Sequence, residues 1–559
     1  MIASLCAIVC LLATSPVQFT DIARSAGLND IFYCGGDTAK KYIIETLGGG
    51  VALLDYDNDG YVDAFFVTGS ALDGFPPGRE PTNQLYRNNH DGTFTRVTTQ
   101  AGLAHSGWGQ GVCVGDYDND GFDDLFVTYY GQNHLYRNTG RGTFEDATKA
   151  AGLQQETRWA TGCAFVDYDL DGKLDLFVSN YINFEKDRIP LPGSTPDCQW
   201  KGVAVMCGPR GLPGGTNQLF HNEGKGAFKN VSERSGIAAV GARYSLSVTT
   251  LDFNRDGWPD IYVAVDSQPS ILYRNNRDGT FSEVGVASGV AYSEDGREQA
   301  GMGTAAGDFD GDGNLDLVKT NFIEDTANLY RNNGDGSFEE FVHAAGLAKN
   351  TQYMGWGVGF FDYDNDGWPD IFMVNGHVYP EIERMVSSSP YRQRPILYHN
   401  LNGNKMEDVT ETSGPGANAR HSSRGLAFGD FDNDGDIDIF INHMNEAPGL
   451  LRNDGGNRLP FISVKLLGVK SNRDGIGARV TVIAGGRKQV QEVRSGSSFM
   501  SHSDLRLHFG LGAAHIVDRI EVQWPFRNSS DTMTNIKTNQ FLTITEGKGI
   551  SDVKKFAAP

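Results

Sequence analysis

A nine-residue acidic motif limits what this chain can fold into. Its first copy runs from Asp55 to Asp63 and carries carboxylates at relative positions 1, 3, 5 and 9, with Gly60 directly after position 5. This is the ligand order of a calcium loop, shortened from the twelve-residue form. Alternate residues of a tight loop can turn their side chains inward, and the glycine permits the sharp backbone turn. A bound cation would remove the repulsion of about 4 kcal/mol between two carboxylates ~4 Å apart.

The motif occurs seven times, which predicts about seven Ca²⁺ sites. A single copy could also be an Asp/Gly-rich surface turn, but seven copies with one ligand order favour metal binding. Asn254 replaces a carboxylate, so we expect the fourth site to be the weakest. The predicted ligands are Asp55, Asp57, Asp59 and Asp63; Asp116, Asp118, Asp120 and Asp124; Asp167, Asp169, Asp171 and Asp175; Asp252, Asn254, Asp256 and Asp260; Asp308, Asp310, Asp312 and Asp316; Asp362, Asp364, Asp366 and Asp370; Asp430, Asp432, Asp434 and Asp438.

The motifs also explain the acidity of the chain. Its 559 residues have a formal net charge of −22, and the ligand positions of the seven motifs contain 27 of the aspartates. Seven bound Ca²⁺ ions would bring that charge to −8, an ordinary value for a protein surface. The composition therefore favours metal binding and argues against a nucleic-acid partner.

The N-terminus is predicted to be a signal peptide at 1–18. An apolar run from Leu5 to Ala13 precedes Thr14 and is too short to span a bilayer. A wrongly assigned start codon and a buried N-terminal strand are the alternatives. No later segment resembles a membrane helix, so we expect secretion to the extracellular space or the periplasm.

The cysteines give two expectations. Cys198 and Cys207 flank a short loop in a Gly/Pro-rich segment, so a local disulfide is expected if the protein is exported. Cys113 and Cys163 lie in apolar runs typical of strands, and we expect them to be buried thiols.

Each acidic loop lies inside a longer repeat of four short strands, a to d. A small apolar run precedes the loop, and a β-rich run such as Ala64 to Val67 follows it. Next come a Leu-Tyr-Arg-Asn segment or a variant of it, and a Phe-led strand such as Phe144 to Thr148. Four-stranded units whose motifs start 51 to 85 residues apart predict an all-β fold, a seven-bladed β-propeller.

The two ends of the repeat array complement each other. The last unit stops after its strand c, Leu450 to Asn453, and an unmatched strand d lies at Phe19 to Ala23. Pairing these strands would close residues 19–453 into a ring and remove exposed sheet edges.

At this point the repeats resemble FG-GAP/VCBS repeats, which also occur in integrin α chains. The segment 460–547 has no acidic loop and reads as short strands. Within it Gly475 to Val480, Glu492 to Ser498, His508 to Gly512 and Val522 to Pro525 resemble an ASPIC/UnbV domain, and 548–559 reads as a tail. Repeats followed by this domain resemble the cartilage acidic protein family. Cys207 to Leu212 and the lack of an EGF-like tail place the chain nearer the bacterial members. The resemblance implies secretion and calcium binding, and it implies no catalytic activity.

We expect recognition on the face opposite the acidic loops, which we call the insertion face. The long insertions 69–82, 181–216 and 376–395 lie there as connections between strands b and c, and loops of more than about 15 residues are usually functional or disordered. Trp108, Trp159 and Tyr244 enter strand a from this face and could surround a central channel. His377 and Tyr379 lie in one insertion. Packing beneath neighbouring loops is the alternative for the three aromatic residues of strand a. For His377 and Tyr379 the alternative is hydrogen-bonded loop structure.

Three functions compete. The first is a secreted, calcium-stabilised scaffold that binds a protein or polysaccharide, and we expect it to be a monomer. The second is a carbohydrate-active enzyme, a polysaccharide lyase or hydrolase, that uses the insertion face. No nucleophile–base–acid set can be traced to support it. The third is a calcium sensor, which a closed ring with few free edges disfavours.

Overall fold

The computed structural model describes residues 17–72, 74–76, 78–154, 156, 158–384, 389–527 and 529–555. Nearly all of the proposed signal peptide lies outside this range. The chain is all-β, as predicted, and four-stranded antiparallel sheets follow one another along it. We name the sheets by the acidic loop, 1 to 7, that joins their first two strands. Sheets 2 and 3 are additionally joined through a short pairing of Arg158 and Trp159 with Gly131 and Tyr130.

The strands match the four predicted for each repeat. Sheet 1 contains β2 (Val51–Leu54), β3 (Asp63–Phe66), β4 (Gln84–Asn88) and β5 (Phe94–Arg96); sheet 2 contains β6 (Trp108–Gly115), β7 (Asp124–Gly131), β8 (His134–Asn138) and β9 (Phe144–Asp146); sheet 3 contains β10 (Arg158–Val166), β11 (Asp175–Asn180), β14 (Gln218–Gly224) and β15 (Ala227–Asn230). Sheet 4 contains β16 (Ser245–Leu251), β17 (Asp260–Val265), β18 (Ile271–Asn275) and β19 (Phe281–Glu283); sheet 5 contains β20 (Gly301–Gly307), β21 (Asp316–Asn321), β22 (Asn328–Asn332) and β23 (Phe338–Glu340). Sheet 6 contains β24 (Gly355–Phe361), β25 (Asp370–Asn375), β26 (Ile396–Asn400) and β27 (Met406–Asp408); sheet 7 contains β28 (Ser423–Gly429), β29 (Asp438–His443), β30 (Gly449–Asp454) and β1 (Gln18–Asp21).

The predicted pairing of the two ends is confirmed. Strand β1 runs antiparallel to β30, with Phe19 opposite Asn453, and supplies the fourth strand of sheet 7. The first strands of successive sheets also contact one another in order, and β28 of sheet 7 contacts β2 of sheet 1. These contacts give a propeller-like arrangement and support the predicted closure. The number of seven blades remains our prediction.

Small residues allow the first strands to approach one another closely. A Cβ atom added to Gly303 of β20 would lie 2.1 Å from the carbonyl oxygen of Trp356 in β24. A Cβ added to Gly425 of β28 would lie 2.3 Å from the carbonyl oxygen of Gly49, just before β2. The backbones at the centre are therefore too close for a side chain at these positions.

The C-terminal segment folds as two packed sheets. One has the order β34 (Leu507–Gly510), β31 (Phe461–Leu467), β37 (Gln540–Thr545) and β38 (Gly549–Lys555), with β31 and β37 parallel. The other has the order β33 (Arg487–Glu492), β32 (Arg479–Ala484), β35 (Ile516–Gln523) and β36 (Ser530–Lys537). Inward-facing residues of both sheets, such as Val464 and Val482, form one core. We call this segment the C-terminal domain.

Two sequence expectations are wrong at this level. Most of the supposed tail is strand β38, which forms a hairpin with β37 because Gly547 and Gly549 adopt the positive φ angles that the tight turn requires. Cys113 and Cys163 form a disulfide and are not free thiols. They lie on β6 and β10, the first strands of adjacent sheets, so the fold brings them together across 50 residues. The expected Cys198–Cys207 disulfide is present.

Short elements complete the described chain. None of the helices among the described residues is long and apolar enough to cross a membrane. The remaining elements are the hairpin β12 (Gln199–Trp200) and β13 (Val203–Ala204); the α-helical turns α1 (Val342–Ala345) and α2 (Pro415–Asn418); and 3₁₀ turns at Ile43–Thr46, Lys186–Arg188, Pro196–Cys198, Ile237–Val240, Leu347–Lys349, Pro380–Arg384, Thr410–Thr412 and Gly456–Arg458.

Candidate metal centre and its surroundings

The first aspartate of each acidic loop holds the loop backbone. In loop 1 the two carboxylate oxygens of Asp55 accept the backbone N–H groups of Asp59 and Gly60, at 2.9 and 3.0 Å. The bond from the glycine N–H recurs in all seven loops, at 2.6 to 3.1 Å. The tight turn predicted from the motif therefore forms, and its first carboxylate is fixed in place.

The last aspartate of each loop ties the loop to strand c. Asp63 accepts the backbone N–H of Tyr56 at 3.2 Å and that of Asn88, in β4, at 2.7 Å. The second bond recurs in every sheet, at 2.7 to 2.9 Å. All seven of these aspartates are buried: Asp63, Asp124, Asp175, Asp260, Asp316, Asp370 and Asp438.

Carboxylates at positions 1, 3 and 9 meet in a geometry that fits a hard cation. In loops 1, 2 and 3 one oxygen from each of these positions lies within 4.8 Å of the others. Buried carboxylate oxygens without a hydrogen-bond partner occur at position 3 in four loops: Asp57, Asp118, Asp169 and Asp432. An unpartnered buried carboxylate is costly, so these oxygens fit a cation that they would coordinate.

The position-5 aspartate of loop 1 is directed elsewhere. The carboxylate of Asp59 accepts the N–H of Tyr61 at 2.9 Å and lies 2.6 Å from Nε2 of His90. Asp59 is absent from the group that Asp55, Asp57 and Asp63 form. The sequence predicted positions 1, 3, 5 and 9 as equal ligands, and this loop brings three of them together.

Burial and mutual repulsion raise the pKa values of the loop carboxylates. Burial, and then the neighbouring Asp171, raises the pKa of Asp167 to about 7. Burial also raises the pKa of Asp116 to about 8, with a further contribution from Asp474 of the C-terminal domain. Burial and repulsion thus make the charged form of these groups costly, and a bound cation would favour the charged form.

An asparagine in strand c joins each sheet to the acidic loop of the preceding sheet, and sequence reasoning missed this role. The side-chain amide of Asn138 donates to the carbonyl of Tyr56, the second residue of loop 1, at 2.8 Å. The same bond links each sheet to the one before it, and Asn88 of sheet 1 donates to Phe431 of loop 7. The invariant Asn in the seven Leu-Tyr-Arg-Asn-like segments of this chain was the available signal.

The C-terminal domain covers the acidic loops. The guanidinium of Arg506 donates to the carbonyl of Asp430 at 2.9 Å and to Asn433 Oδ1 at 2.6 Å. Arg487 donates to the carbonyl of Asp366 and stacks 3.8 Å from the ring centre of Trp368. Further contacts reach loops 1, 2, 4 and 5 through Lys465, Asp474, Glu492 and Arg479. A cavity of about 510 Å³ remains between the domain and loops 5 to 7.

One loop of the C-terminal domain fills the centre of the ring of first strands. We call residues 494–504 the central loop. Ser498 exchanges backbone hydrogen bonds with Thr304 of β20, and His502 accepts the N–H of Leu53 in β2 at 3.0 Å. Its other hydrogen bonds reach β6, β10, β16, β24 and β28 through Val112, Phe165, Ser247, Val358 and Phe428. Its serine-rich sequence was noticed only as part of the family resemblance.

The predicted ligand residues on the opposite face are mostly buried. Trp159 is 1% exposed and donates from its indole N–H to Gln110 at 3.0 Å. Tyr244 and Tyr379 are also buried, and His377 is 0% exposed beside Trp200 of the insertion 181–216. Only Trp108 of these five is partly exposed. The insertions and the segment around Ile43 and Ile44 share one core with the central loop, so they cover these aromatic residues.

The site and fold define the class of protein. The model for the FG-GAP-like repeat matches residues 55–127, 116–178, 205–263, 252–319, 321–373 and 385–441, and the ASPIC and UnbV model matches 468–551. These repeats cover more than half of the sequence. The chain therefore belongs to the FG-GAP-like repeat family and carries an ASPIC/UnbV domain.

The particular relatives are cartilage acidic proteins. Mouse cartilage acidic protein 1 is 27% identical over 305 residues, which cover 54% of this chain and 44% of the mouse protein. The human protein is 26% identical over 308 residues, which cover 54% of this chain and 43% of the human protein. This chain thus matches less than half the length of these relatives.

Two solved structures align with most of this chain. One is an Agrocybe aegerita lectin that recognises non-reducing terminal N-acetylglucosamine, with a TM-score of 0.37, 15% identity, and coverage of 72% of this chain and 93% of the lectin. The other is BBS1N in complex with ARL6DN, with a TM-score of 0.40, 10% identity, and coverage of 75% and 95%. At these scores the likeness carries no functional information.

Proposed function

We propose that this chain is an exported recognition scaffold whose fold is stabilised by Ca²⁺ and which binds a protein or a polysaccharide. One observation carries the calcium role: buried position-3 carboxylate oxygens without a partner recur in loops 1, 2, 3 and 7. Calcium takes oxygen ligands of this kind. Its charge would offset the repulsion within each loop and fix the surface to which the C-terminal domain docks.

Two disulfides support export. Cys113–Cys163 and Cys198–Cys207 would persist in an oxidising compartment, whereas cytosolic thiols are usually kept reduced. The relation to cartilage acidic protein 1 is consistent with this location. Export also gives access to the calcium concentrations at which extracellular calcium modules bind, of order 10⁻⁴–10⁻³ M.

Thermal unfolding with and without calcium tests the proposal. We expect about seven calcium ions per chain by elemental analysis, and EDTA should lower the melting temperature by at least 10 °C, a loss of several kcal/mol. Asp57→Ala should remove one ion and part of the stabilisation, because it deletes the carboxylate whose Oδ1 has no other partner. Alanine is used because asparagine already occupies this position in loop 4, at Asn254. The control Asp518→Ala changes an exposed carboxylate in β35 and should leave both quantities unchanged. Equal melting temperatures in EDTA and in millimolar Ca²⁺ would contradict the calcium role.

Recognition would use the exposed part of the insertion face. The exposed Tyr33 meets the partly buried Phe75 edge to face at 5.3 Å, and Ile31 and Leu191 are also exposed. These side chains offer an apolar surface of the kind that contacts a protein or a sugar ring. A glycan array and a screen against extracellular proteins should give a partner whose binding falls on Tyr33→Ser and is kept in the exposed C-terminal variant Val553→Ser. A partner that depends on Val553 instead would place recognition on the C-terminal domain.

The alternative of a carbohydrate-active enzyme gains no support from His377. Burial lowers the pKa of this histidine to about 3, and the insertions enclose its ring. A polysaccharide cannot reach a fully buried imidazole in this structure. Loss of a polysaccharide-cleaving activity on His377→Ala, in a variant that keeps the wild-type melting temperature, would favour the enzyme over the scaffold.

A further inference from the structure

In two sheets the strand-c residue beside the acidic loop is a histidine, whereas the other sheets have an arginine there. The residue before the strand-c asparagine is Arg in five sheets and His in sheets 3 and 6, at His221 and His399. In sheet 2 the arginine forms ion pairs with loop 2. Arg137 Nε lies 2.5 Å from Asp118 Oδ2, and Arg137 Nη2 lies 2.6 Å from Asp120 Oδ2. A guanidinium can only neutralise such carboxylates, whereas a neutral imidazole can also bind a metal.

His221 lies among the carboxylates of loop 3 as a metal ligand would. Its Nε2 is 3.1 Å from Asp169 Oδ2, and ligand atoms of Asp169, Asp171 and His221 lie within 4.8 Å of one another. Around a tetrahedral zinc ion with bonds of 2.0–2.1 Å, neighbouring ligand atoms are about 3.3 Å apart. The other carboxylate oxygen of Asp169 is buried and has no partner. These distances leave room for an ion between the imidazole and the two carboxylates.

The second ring nitrogen of His221 has a partner outside this group. Its Nδ1 lies 3.2 Å from Oε1 of Glu223, two residues further along β14. Metal-bound histidines almost always place their second nitrogen on a carboxylate or carbonyl, which fixes the ring and makes the ligating nitrogen more basic. Lys173 contacts Asp171 and would have to release it when an ion binds.

Loop 6 brings the same three residue types together, but its histidine faces the loop through the other ring nitrogen: His399 Nδ1 lies 3.9 Å from Asp364 Oδ2. Ligand atoms of Asp364, Asp366 and His399 lie within 4.8 Å of one another. His399 Nδ1 is 3.1 Å from Asp370 Oδ1, so the imidazole is held against the last aspartate of the same loop. The His/Asp/Asp set is thus present in both sheets in which the arginine is replaced.

We propose that loops 3 and 6 each bind a divalent transition-metal ion of the zinc type through two aspartates and this histidine. Calcium takes oxygen ligands, whereas imidazole suits Zn²⁺ and similar ions. Three protein ligands leave a position for water, as in other zinc sites that are not closed. In loop 3 the ion lies beside the calcium-type set of Asp167, Asp169 and Asp175 and shares Asp169 with it. This inference goes beyond the proposed calcium role and does not require it.

Metal analysis of the full chain with matched variants tests the proposal. The protein is equilibrated with Zn²⁺ and Ca²⁺, passed through a desalting column and analysed for both elements. The wild type should retain two Zn²⁺ ions, one for each His/Asp/Asp set. His221→Arg and His399→Arg should each lose one Zn²⁺ with unchanged calcium content, and the double variant should lose both. The control is His343→Arg, which changes an exposed side chain of α1, and this variant should retain two Zn²⁺ ions.

The arginine variants distinguish a histidine that binds a metal ion from one that only neutralises the nearby carboxylates. Arg occupies this position in the other sheets, so it should preserve the fold, which the melting temperature in calcium checks. With Co²⁺ as the probe, the wild type should show the strong visible absorption of a site with fewer than six ligands, and the double variant should lose it. Zinc retained by the double variant, or no zinc on the wild type, overturns the proposal. If the wild type retains two zinc ions but calcium does not change its melting temperature, only the proposed calcium role is overturned.

Discussion

At the scale of single residues, Glu446 connects two segments of the insertion face. Its carboxylate lies 2.5 Å from His421 Nδ1 and 2.6 Å from Arg392 Nε. Burial alone would raise its pKa, but these two partners outweigh that effect and lower the pKa to about 2. The folded state therefore favours the charged form of this carboxyl more than the unfolded chain does.

Replacing Glu446 by glutamine should cost stability in a pH-dependent way. A carboxyl with a lowered folded pKa stabilises the fold above its unfolded pKa of about 4.5, and this contribution is lost as the pH falls towards 2. We expect Glu446→Gln to lower the free energy of unfolding by about 2–3 kcal/mol at pH 7, with the difference shrinking between pH 4.5 and 2. Urea unfolding at several pH values measures it. A constant difference would contradict the ionic role, and Glu411→Gln is the exposed control.

The role of the strand-c asparagine in joining adjacent sheets can be tested with the next residue in the chain as a control. The amide of Asn332 donates to the carbonyls of Phe253 at 2.8 Å and Leu315 at 3.0 Å, and the residue is buried. Asn332→Ala would leave these carbonyls unpaired, so we expect a loss of about 1–3 kcal/mol in unfolding free energy. The adjacent Asn333 is exposed, and Asn333→Ala should lose less than about 0.5 kcal/mol. Equal losses would show that the bonds between sheets do not matter.

At the scale of elements, the strands of each repeat could be predicted from the sequence because the residues that specify them are close together in the chain. Alternating apolar residues, the acidic turn and the Phe-led strand occur within a few residues of one another, so local chemistry specifies them. The structure has four strands at each repeat, and strand β1 pairs where the incomplete last unit required a partner. In the C-terminal segment the sequence predicts four strands, at 461–464, 478–482, 520–524 and 541–544. The strands β33, β36 and β38 were missed because polar residues dominate them, and β34 was missed because it has only four residues.

Close approach of the first strands gives the prediction at this scale. Gly303→Ala would place a methyl group 2.1 Å from the carbonyl oxygen of Trp356, so β20 and β24 would have to separate. We expect a loss of about 1–3 kcal/mol in thermal or chemical unfolding. Gly208 has no atom within 4 Å of an added Cβ, and Gly208→Ala is the matched control. Tolerance of alanine at 303 would contradict the tight packing of the central strands.

At the scale of the whole molecule, the C-terminal domain and the repeats share one structure. The central loop places Phe499 in the main core, where its ring lies 4.8 Å from that of Trp356 and edge-on to it. The domain also covers the loops in which we propose that calcium binds. Binding of cations and docking of the domain should therefore depend on each other, because both act on the same loop backbone.

Truncation of Phe499 tests this coupling of domains. We expect Phe499→Ala to cost about 3–5 kcal/mol, since a fully buried phenylalanine is removed. Proteolysis in the connection 455–460 should become faster in the variant and faster again in EDTA. Val469→Ala, at an exposed site of the same domain, is the control. Unchanged proteolysis and stability would mean that the central loop does not hold the domain in place.

The sequence by itself determined the acidic loops, the order of strands within the repeats and the closing strand, because each depends on chemistry within about ten residues or on the completion of a repeat. The same local spacing predicted that the carboxylates at positions 1, 3 and 9 meet, although it also counted position 5 of loop 1 as a ligand. Tertiary structure alone decided that the central loop fills the ring, that Cys113 meets Cys163, and that Trp159 and His377 are buried. These features join segments that lie far apart in the chain. Their side chains carry no local signal of the partner, because burial and contact arise only when the sheets pack together.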